Sequence, residues 1–334
     1  MRAFATAEQL AGVVAEVFGT DRRIVTIDRL PNGSKKGVYQ LGLDDATTTI
    51  VYIWDPAEDY WSDVQDADHA DRADTFSHAS GLDMFEAAVN RLESVGARGP
   101  RLLFADRSRA LYPADIAVIE DLRGGTLQAL LEKDPDAGRE PLAVLAEMLR
   151  LMHDYPAPRL GQVFTVDRGL PVNGESGVRV ILDRALADVQ EAAKRDDRVR
   201  AGRSTLTEAL QDLASRVTAP PRIGLIHGEL GADHVMLADD GAPVLIDVEG
   251  LAYFDIEWEH VFVRMRFQEH YAPLRREDLD PDRMRLFQLA MHVSLIAGPL
   301  RIGSGDHPQA AWFRDLAALH VREAFAFAAK EAAG

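Results

Sequence analysis

At 334 residues, 47% hydrophobic and 27% charged, the chain has the make-up of a globular protein with room for two cores. A net charge of −17 excludes a nucleic-acid-binding face, which needs clustered Lys and Arg, and is compatible with plain solubility or with a cationic small-molecule partner. Zero cysteines exclude a disulfide scaffold, a thiolate nucleophile and a Cys-ligated zinc site. Met1-Arg2-Ala3-Phe4 has none of the apolar core of a signal peptide, and the longest uncharged apolar stretch, Leu286 to Leu300, is too short to span a bilayer. The expectation is a cytoplasmic protein with no membrane span.

Thr6-x-x-Gln9 reads as a capping box, and Leu10, Val13, Val14, Val17 and Phe18 then trace one face of a first helix. Residues 24–27, 38–41 and 48–54 predict three strands in an antiparallel meander. Their first connection, Pro31-Asn32-Gly33-Ser34-Lys35-Lys36-Gly37, fits either a plain turn or a loop that wraps a phosphate with backbone N–H groups and ammonium charge. Residues 55–81 hold eight carboxylates against one Arg72 and read as an exposed acidic insertion. A helix follows, with Met84, Phe85, Ala88, Val89 and Leu92 on its apolar face and Glu86 beside them. Residues 101–104 and 116–119 predict two more strands. After Glu120-Asp121-Leu122-Arg123-Gly124-Gly125 the pattern turns helical, with helices expected from Thr126 through Leu131 and over 142–153, 180–194, 205–217, 281–296 and 310–332.

Inside that helical half sits a small strand island. Ile223-Gly224-Leu225-Ile226 reads as a buried strand that delivers His227-Gly228-Glu229 into a loop, the usual place for chemistry. Val235-Met236-Leu237 and Val244-Leu245-Ile246 flank Asp240-Gly241, a hairpin signal. With a two-residue turn there, or a four-residue loop from Asp239 to Ala242, His234 faces Asp247 with Cβ atoms about 4.5–5.5 Å apart. Spacing alone allows a surface ion pair as readily as a metal and proton-transfer site. A zinc protease needs two histidines one helical turn apart with Glu next to the first, and a zinc deaminase needs paired cysteines; neither pattern is present.

The order of elements, with His227-Gly228-Glu229-Leu230-Gly231-Ala232-Asp233-His234 and Ile246-Asp247-Val248-Glu249-Gly250, resembles the aminoglycoside phosphotransferase family. The resemblance implies an α+β, two-lobed protein-kinase-like fold. Residues 1–120 would form a small antiparallel-sheet N-lobe with one central helix, and 121–334 a larger, mostly helical C-lobe. In the family the catalytic loop reads His-Gly-Asp, four residues, then Asn, and a strand ending in Ile-Asp supplies a magnesium-binding Asp. Leu122-Arg123-Gly124-Gly125-Thr126-Leu127 is similar to the family's linker, Leu149-Arg150-Leu151-Met152-His153 to its Leu-His helix end, and Asp255 and Glu259 fall on two further acidic positions. Glu86 falls at the central-helix Glu. Three positions depart from the family: Glu229 stands for the proton-accepting Asp, His234 for the metal-binding Asn, and Val51-Tyr52-Ile53-Trp54 lacks the lysine that pairs with the central-helix Glu.

What the resemblance implies is transfer of a phosphoryl group from ATP or GTP to a hydroxyl of a small molecule, with an aminoglycoside-like or other antibiotic among the candidates. Glu229 and Asp247 would be catalytic, and His234 and Asp247 would hold Mg2+, or Mn2+ given the imidazole. Gly33, Ser34, Lys35, Lys36, Glu86, Glu120, Asp121 and Leu122 would meet the nucleotide, Lys35 or Lys36 replacing the missing strand lysine. The helices over 180–217 would wall the acceptor pocket, and their surface residues Arg184, Glu191 and Arg195 fit a solvated face as readily as a binding one. Three substituted positions keep open a catalytically impaired nucleotide-binding or regulatory protein, and nucleotidyl transfer stays a third possibility. Oligomeric state is not legible.

Overall fold

Thr6 stops the backbone in an extended conformation (φ −111°, ψ 163°), its hydroxyl accepts the Gln9 amide, and Gln9 caps back, so the expected capping box starts helix α1, Ala7–Phe18. The computed structural model describes residues 4–31, 35–60, 73–77, 80–174 and 176–333. The chain divides into two units: Met1–Ala70, Phe76–Leu151 and Ala232–Leu251 in the first; Asp71–Thr75, Met152–Gly231 and Ala252–Gly334 in the second.

The first unit is built on a five-stranded antiparallel sheet of β1 (Ile24–Arg29), β2 (Gly37–Leu43), β3 (Thr48–Trp54), β4 (Leu102–Asp106) and β5 (Asp115–Glu120), in the order β1-β2-β3-β5-β4. Alternation along β3 explains its two neighbours. Val51 and Ile53 join Leu10, Val13 and Val14 of α1 in one core, whereas Tyr52 meets Phe85 of α2 (Leu82–Val95) edge-on, with ring centroids 5.4 Å apart. Helices α3 (Leu127–Lys133) and α4 (Arg139–His153, in this unit to Leu151) follow. Glu58, in the segment expected to be exposed, is instead buried, where it binds Arg29 at 2.9 Å and accepts the Tyr39 hydroxyl. Most of the rest of that acidic stretch lies outside the described residues.

The hairpin β8 (Val235–Leu237) and β9 (Pro243–Leu245) belongs to this unit too. Leu237 exchanges bonds with Gly124 and Gly125 (3.1 and 2.9 Å), and Leu245 donates to the Arg98 carbonyl at 2.9 Å. A Cβ on Gly124 would sit 2.5 Å from the Leu237 carbonyl oxygen, so this approach requires glycine. The register differs by one residue from the expected one: Leu237 pairs with Pro243 and Val235 with Leu245. The loop is Asp239-Asp240-Gly241, closed by Ala238 donating to Ala242 at 3.0 Å, with Gly241 at φ 79°. A left-handed glycine after a turn adds a third loop residue, and His234 therefore sits opposite Ile246, which donates to its carbonyl at 3.0 Å, rather than opposite Asp247.

The second unit is mostly helical: α5 (Val163–Asp167), α6 (Gly177–Arg195), α7 (Asp197–Ala201), α8 (Arg203–Arg216), α9 (Ile256–Phe267), α10 (Pro281–Ile302) and α11 (Ala310–Ala333). Its small sheet orders β6 (Gly161–Gln162), β10 (Ala252–Asp255) and β7 (Ile223–Ile226). Asp280 caps α10 through the Arg283 amide at 2.7 Å with Pro281 in its first turn, as expected, and the helix runs past Ile296 to Ile302. No helix among the described residues is long and apolar enough to cross a membrane.

Candidate functional site

Lys36 enters the sheet just before β2 and is buried, its side chain 7% exposed. Its Nζ lies 2.6 Å from Glu249 Oε1 and 2.9 Å from Asp247 Oδ1, and 4.8 Å from the centre of the Tyr52 ring. Position 52 lies on β3, in register with Val38 on β2, and the ammonium at its ring comes from the residue that leads into β2. Burial works against its charge, but Glu249 and Asp247 outweigh that and push its pKa up.

Both carboxylates come from one turn after β9. Asp247 holds a left-handed conformation, φ 58° and ψ 45°, a region in which Asp is several-fold enriched among non-glycine residues. The helical turn Val248–Gly250 follows and packs against α2. The sharp bend carries Glu249 inward, 5% exposed, and leaves Asp247 at 43%. Lys36 first, then His234 and Lys35, hold the Asp247 carboxyl well below its usual range against the opposing effect of burial.

Of the other residues expected to meet a nucleotide, Gly33 and Ser34 lie outside the described residues. The Lys35 carbonyl accepts the Ser80 hydroxyl at 3.0 Å. Glu86 pairs with Arg107, which also bonds Asp83 at 2.8 Å; the carboxylates on Lys36 are those of Asp247 and Glu249. Glu120, at the end of β5, accepts the Arg101 amide at 2.9 Å, Asp121 accepts from Gln40 Nε2 at 2.9 Å, and Leu122 follows, half-buried.

Glu229 belongs to the second unit, exposed in the loop that leaves β7. Glu259, fully buried on α9, accepts the amides of His227 (2.5 Å), Gly228 and Leu230 and so fixes that loop. Burial raises the Glu259 pKa to about 7 against the pull of those amides. Asp255, also buried, is raised to about 6, with Arg283 Nε 3.6 Å away. On α6, Arg184 reaches Asp74 at 3.7 Å, and Glu191 is shared by Arg195 and Arg301 at 3.1 and 2.6 Å. Trp258 is core, edge-on to Phe287.

Among the described residues no three His, Asp or Glu side chains form a ready metal cage. Mg2+ does not need one when it arrives on phosphates, since one or two protein ligands then suffice. An ionised Asp247, 43% exposed and with an ammonium already seated on the carboxylate pair, fits a nucleotide-borne cation.

The sequence matches the family described as APH, phosphotransferase enzyme family, over residues 29–287. The chain belongs to this family. No curated protein matches it in sequence. Among solved structures, this phosphotransferase-family chain is similar in fold to the spectinomycin phosphotransferase APH(9)-Ia in complex with ADP and spectinomycin: 12% identity, TM-score 0.65, covering 97% of this chain and 99% of that one. It is similar to the choline kinase LicA from Streptococcus pneumoniae at 11% identity and TM-score 0.62 (97% and 98% covered). It is also similar to the aminoglycoside phosphotransferase APH(4)-Ia at 17% identity and TM-score 0.57 (95% and 99% covered). The kinase-like α+β fold expected from the sequence is therefore the fold of this chain.

Sequence reasoning quoted Glu249 within the Ile-Asp segment and gave it no role. The signal available was its spacing: the carboxylates of Asp247 and Glu249 flank Val248, and Asp247 is of a residue type that tolerates a left-handed bend.

Proposed function

We propose that this chain is a small-molecule kinase that transfers the terminal phosphoryl group of ATP or GTP to a hydroxyl of a cationic acceptor. The observation that carries the reading is the buried Lys36 ammonium on the Asp247–Glu249 turn: a positive group and an ionised carboxylate set at the sheet, as phosphate and metal handling require. Asp247 and His234 hold the divalent ion, which supplies charge neutralisation on the phosphates. Lys36 meets the phosphates, while Glu120 to Leu122 meet the base. Glu229 orients the acceptor hydroxyl and takes its proton. Catalysis of this kind is mostly positioning and electrostatics.

A cationic acceptor fits the net charge of −17 and the molecules in the relatives' names: spectinomycin, and the choline of a choline kinase. A second reading, a nucleotide-binding protein without turnover, draws support from Glu229 and His234 standing where the family has Asp and Asn.

One experiment tests both. The protein is incubated with ATP or GTP, Mg2+ or Mn2+, and a panel of hydroxylated amines and aminoglycosides, and products are weighed by mass spectrometry. An acceptor heavier by one phosphoryl group supports the kinase. A gain of a whole nucleotidyl group moves the assignment to nucleotidyl transfer, and metal-dependent binding without any product supports the second reading.

A further inference from the structure

We infer that Glu249 is the positioning residue for Lys36, and that this pair replaces the ion pair between a β3 lysine and the α2 glutamate. The inference rests on the phosphotransferase reading above.

Three observations converge. Position 52 on β3 is a tyrosine, and its ring supports the Lys36 ammonium at 4.8 Å. Glu86 on α2 is occupied by Arg107. The nearest carboxylate to Lys36 is Glu249 at 2.6 Å, on a turn that packs against α2, so the acidic group reaches the lysine from the loop beside the helix instead of from the helix itself. Both partners of the pair are more than nine-tenths buried. Burying an ion pair rarely adds stability, because desolvation of both charges offsets their attraction; a solvent-excluded, aimed ammonium is better explained by what it is aimed at.

The division of labour follows from exposure. Asp247, 43% exposed and 2.9 Å from the ammonium, is accessible to an incoming cation. Glu249 is enclosed and retains Lys36 when Asp247 turns to the metal. In the nucleotide-free protein Lys36 lies on both carboxylates; with Mg2+–ATP bound, Glu249 would keep hold of it while its remaining N–H groups would be free to donate to phosphate oxygens.

The test uses Lys36→Met, Glu249→Gln and the double variant K36M/E249M, which removes both charges and leaves no buried ion alone. Binding of ATP with Mg2+ and of adenosine is measured by calorimetry, with the melting temperature of the nucleotide-free protein and steady-state kinetics alongside. Lys36→Met should weaken ATP about 10- to 100-fold, the usual value of a charge-assisted bond, and leave adenosine unchanged. Glu249→Gln should raise the KM for nucleotide and lower kcat while leaving the KM for acceptor in place. The double variant should melt close to the wild type yet keep the ATP defect. If it binds ATP as tightly as the wild type, or if ATP and adenosine are weakened alike, the pair is structural and the inference is overturned while the proposed function stands. If the wild type binds no nucleotide at all, both are overturned.

Discussion

Glu259 receives the His227 amide at 2.5 Å and, with the amides of Gly228 and Leu230, draws the loop that bears Glu229 around one buried carboxylate. Gly228 sits at φ 88°, a left-handed conformation that suits glycine, so the loop curls tightly enough for three N–H groups to converge. Glu259→Ala leaves those amides without an acceptor in a buried place, at about 1–3 kcal/mol for each unsatisfied group. The expected result is a urea midpoint lowered by several kcal/mol of stability, with kcat falling before the fold is lost. Glu259→Gln keeps one accepting oxygen and should lie between the two. A variant as stable and active as the wild type would remove Glu259 from any role in holding the loop.

Glu229→Gln preserves size and hydrogen-bonding capacity but cannot take a proton. If Glu229 accepts the acceptor hydroxyl's proton, kcat should fall by roughly 10²- to 10⁴-fold, the span typical of a general base, with nucleotide affinity unchanged. Steady-state kinetics beside calorimetric titration with ATP separates the two effects. A loss of nucleotide affinity equal to the loss in rate would assign Glu229 to binding instead.

If Asp247 and His234 hold the divalent ion as proposed, they offer it a mixed oxygen and nitrogen donor set. Asp247→Asn removes the ionised group and should abolish metal-dependent nucleotide binding and turnover together. His234→Asn exchanges an imidazole for an amide oxygen, and oxygen donors favour harder ions. The ratio of activity with Mn2+ to activity with Mg2+ should therefore be higher for the wild type than for His234→Asn. Equal ratios would place His234 outside the metal's reach.

Features written in local chemistry were legible in the sequence. The Thr6–Gln9 box, the Asp280-Pro281 start and the alternating β-branched strands of the first sheet all appear where their chemistry predicts. Helix α9 was not foreseen, because Glu257, Glu259 and His260 are fully buried within it and no polar stripe marks a solvent face. The hairpin register slipped by one because a left-handed Gly241 extends the loop, a choice its Asp-Asp-Gly composition does not decide. The contact of Lys36 with Glu249 joins distant parts of the chain, and no local pattern specifies it. What the sequence did announce was a third strand without a lysine; the ammonium found at Tyr52 of that strand comes from Lys36, just ahead of β2.

Stability should climb with pH from about 4.5 to about 7 and then level off, for reasons that lie in the second unit. His260, His292 and His320 are held at about 4 and His153 well below 6.5, all chiefly by burial. A depressed base contributes stability that is present above its unfolded value of 6.5 and lost as pH falls through about 4. Asp255 and Glu259 act oppositely. Their pKa values are raised to about 6 and about 7, so their contribution is present below the unfolded values of 3.8 and 4.5 and lost as pH rises through 6 and 7. Asp188, raised by burial, adds to their side. Between about pH 4.5 and 6.5 four histidines outweigh three carboxyls, so the unfolded chain binds more protons and stability climbs with pH. Just above 6.5 the four unfolded histidines are still partly protonated and the residual titration of Asp255 and Glu259 only partly offsets them, so the rise slows into a plateau. Urea midpoints across this range check the sign. In His292→Leu/His320→Leu, which removes two rings whose Nδ1 atoms lie 2.9 Å apart, the acid limb should flatten; a wild-type midpoint that rises toward acid would contradict the burial of these histidines in their neutral form.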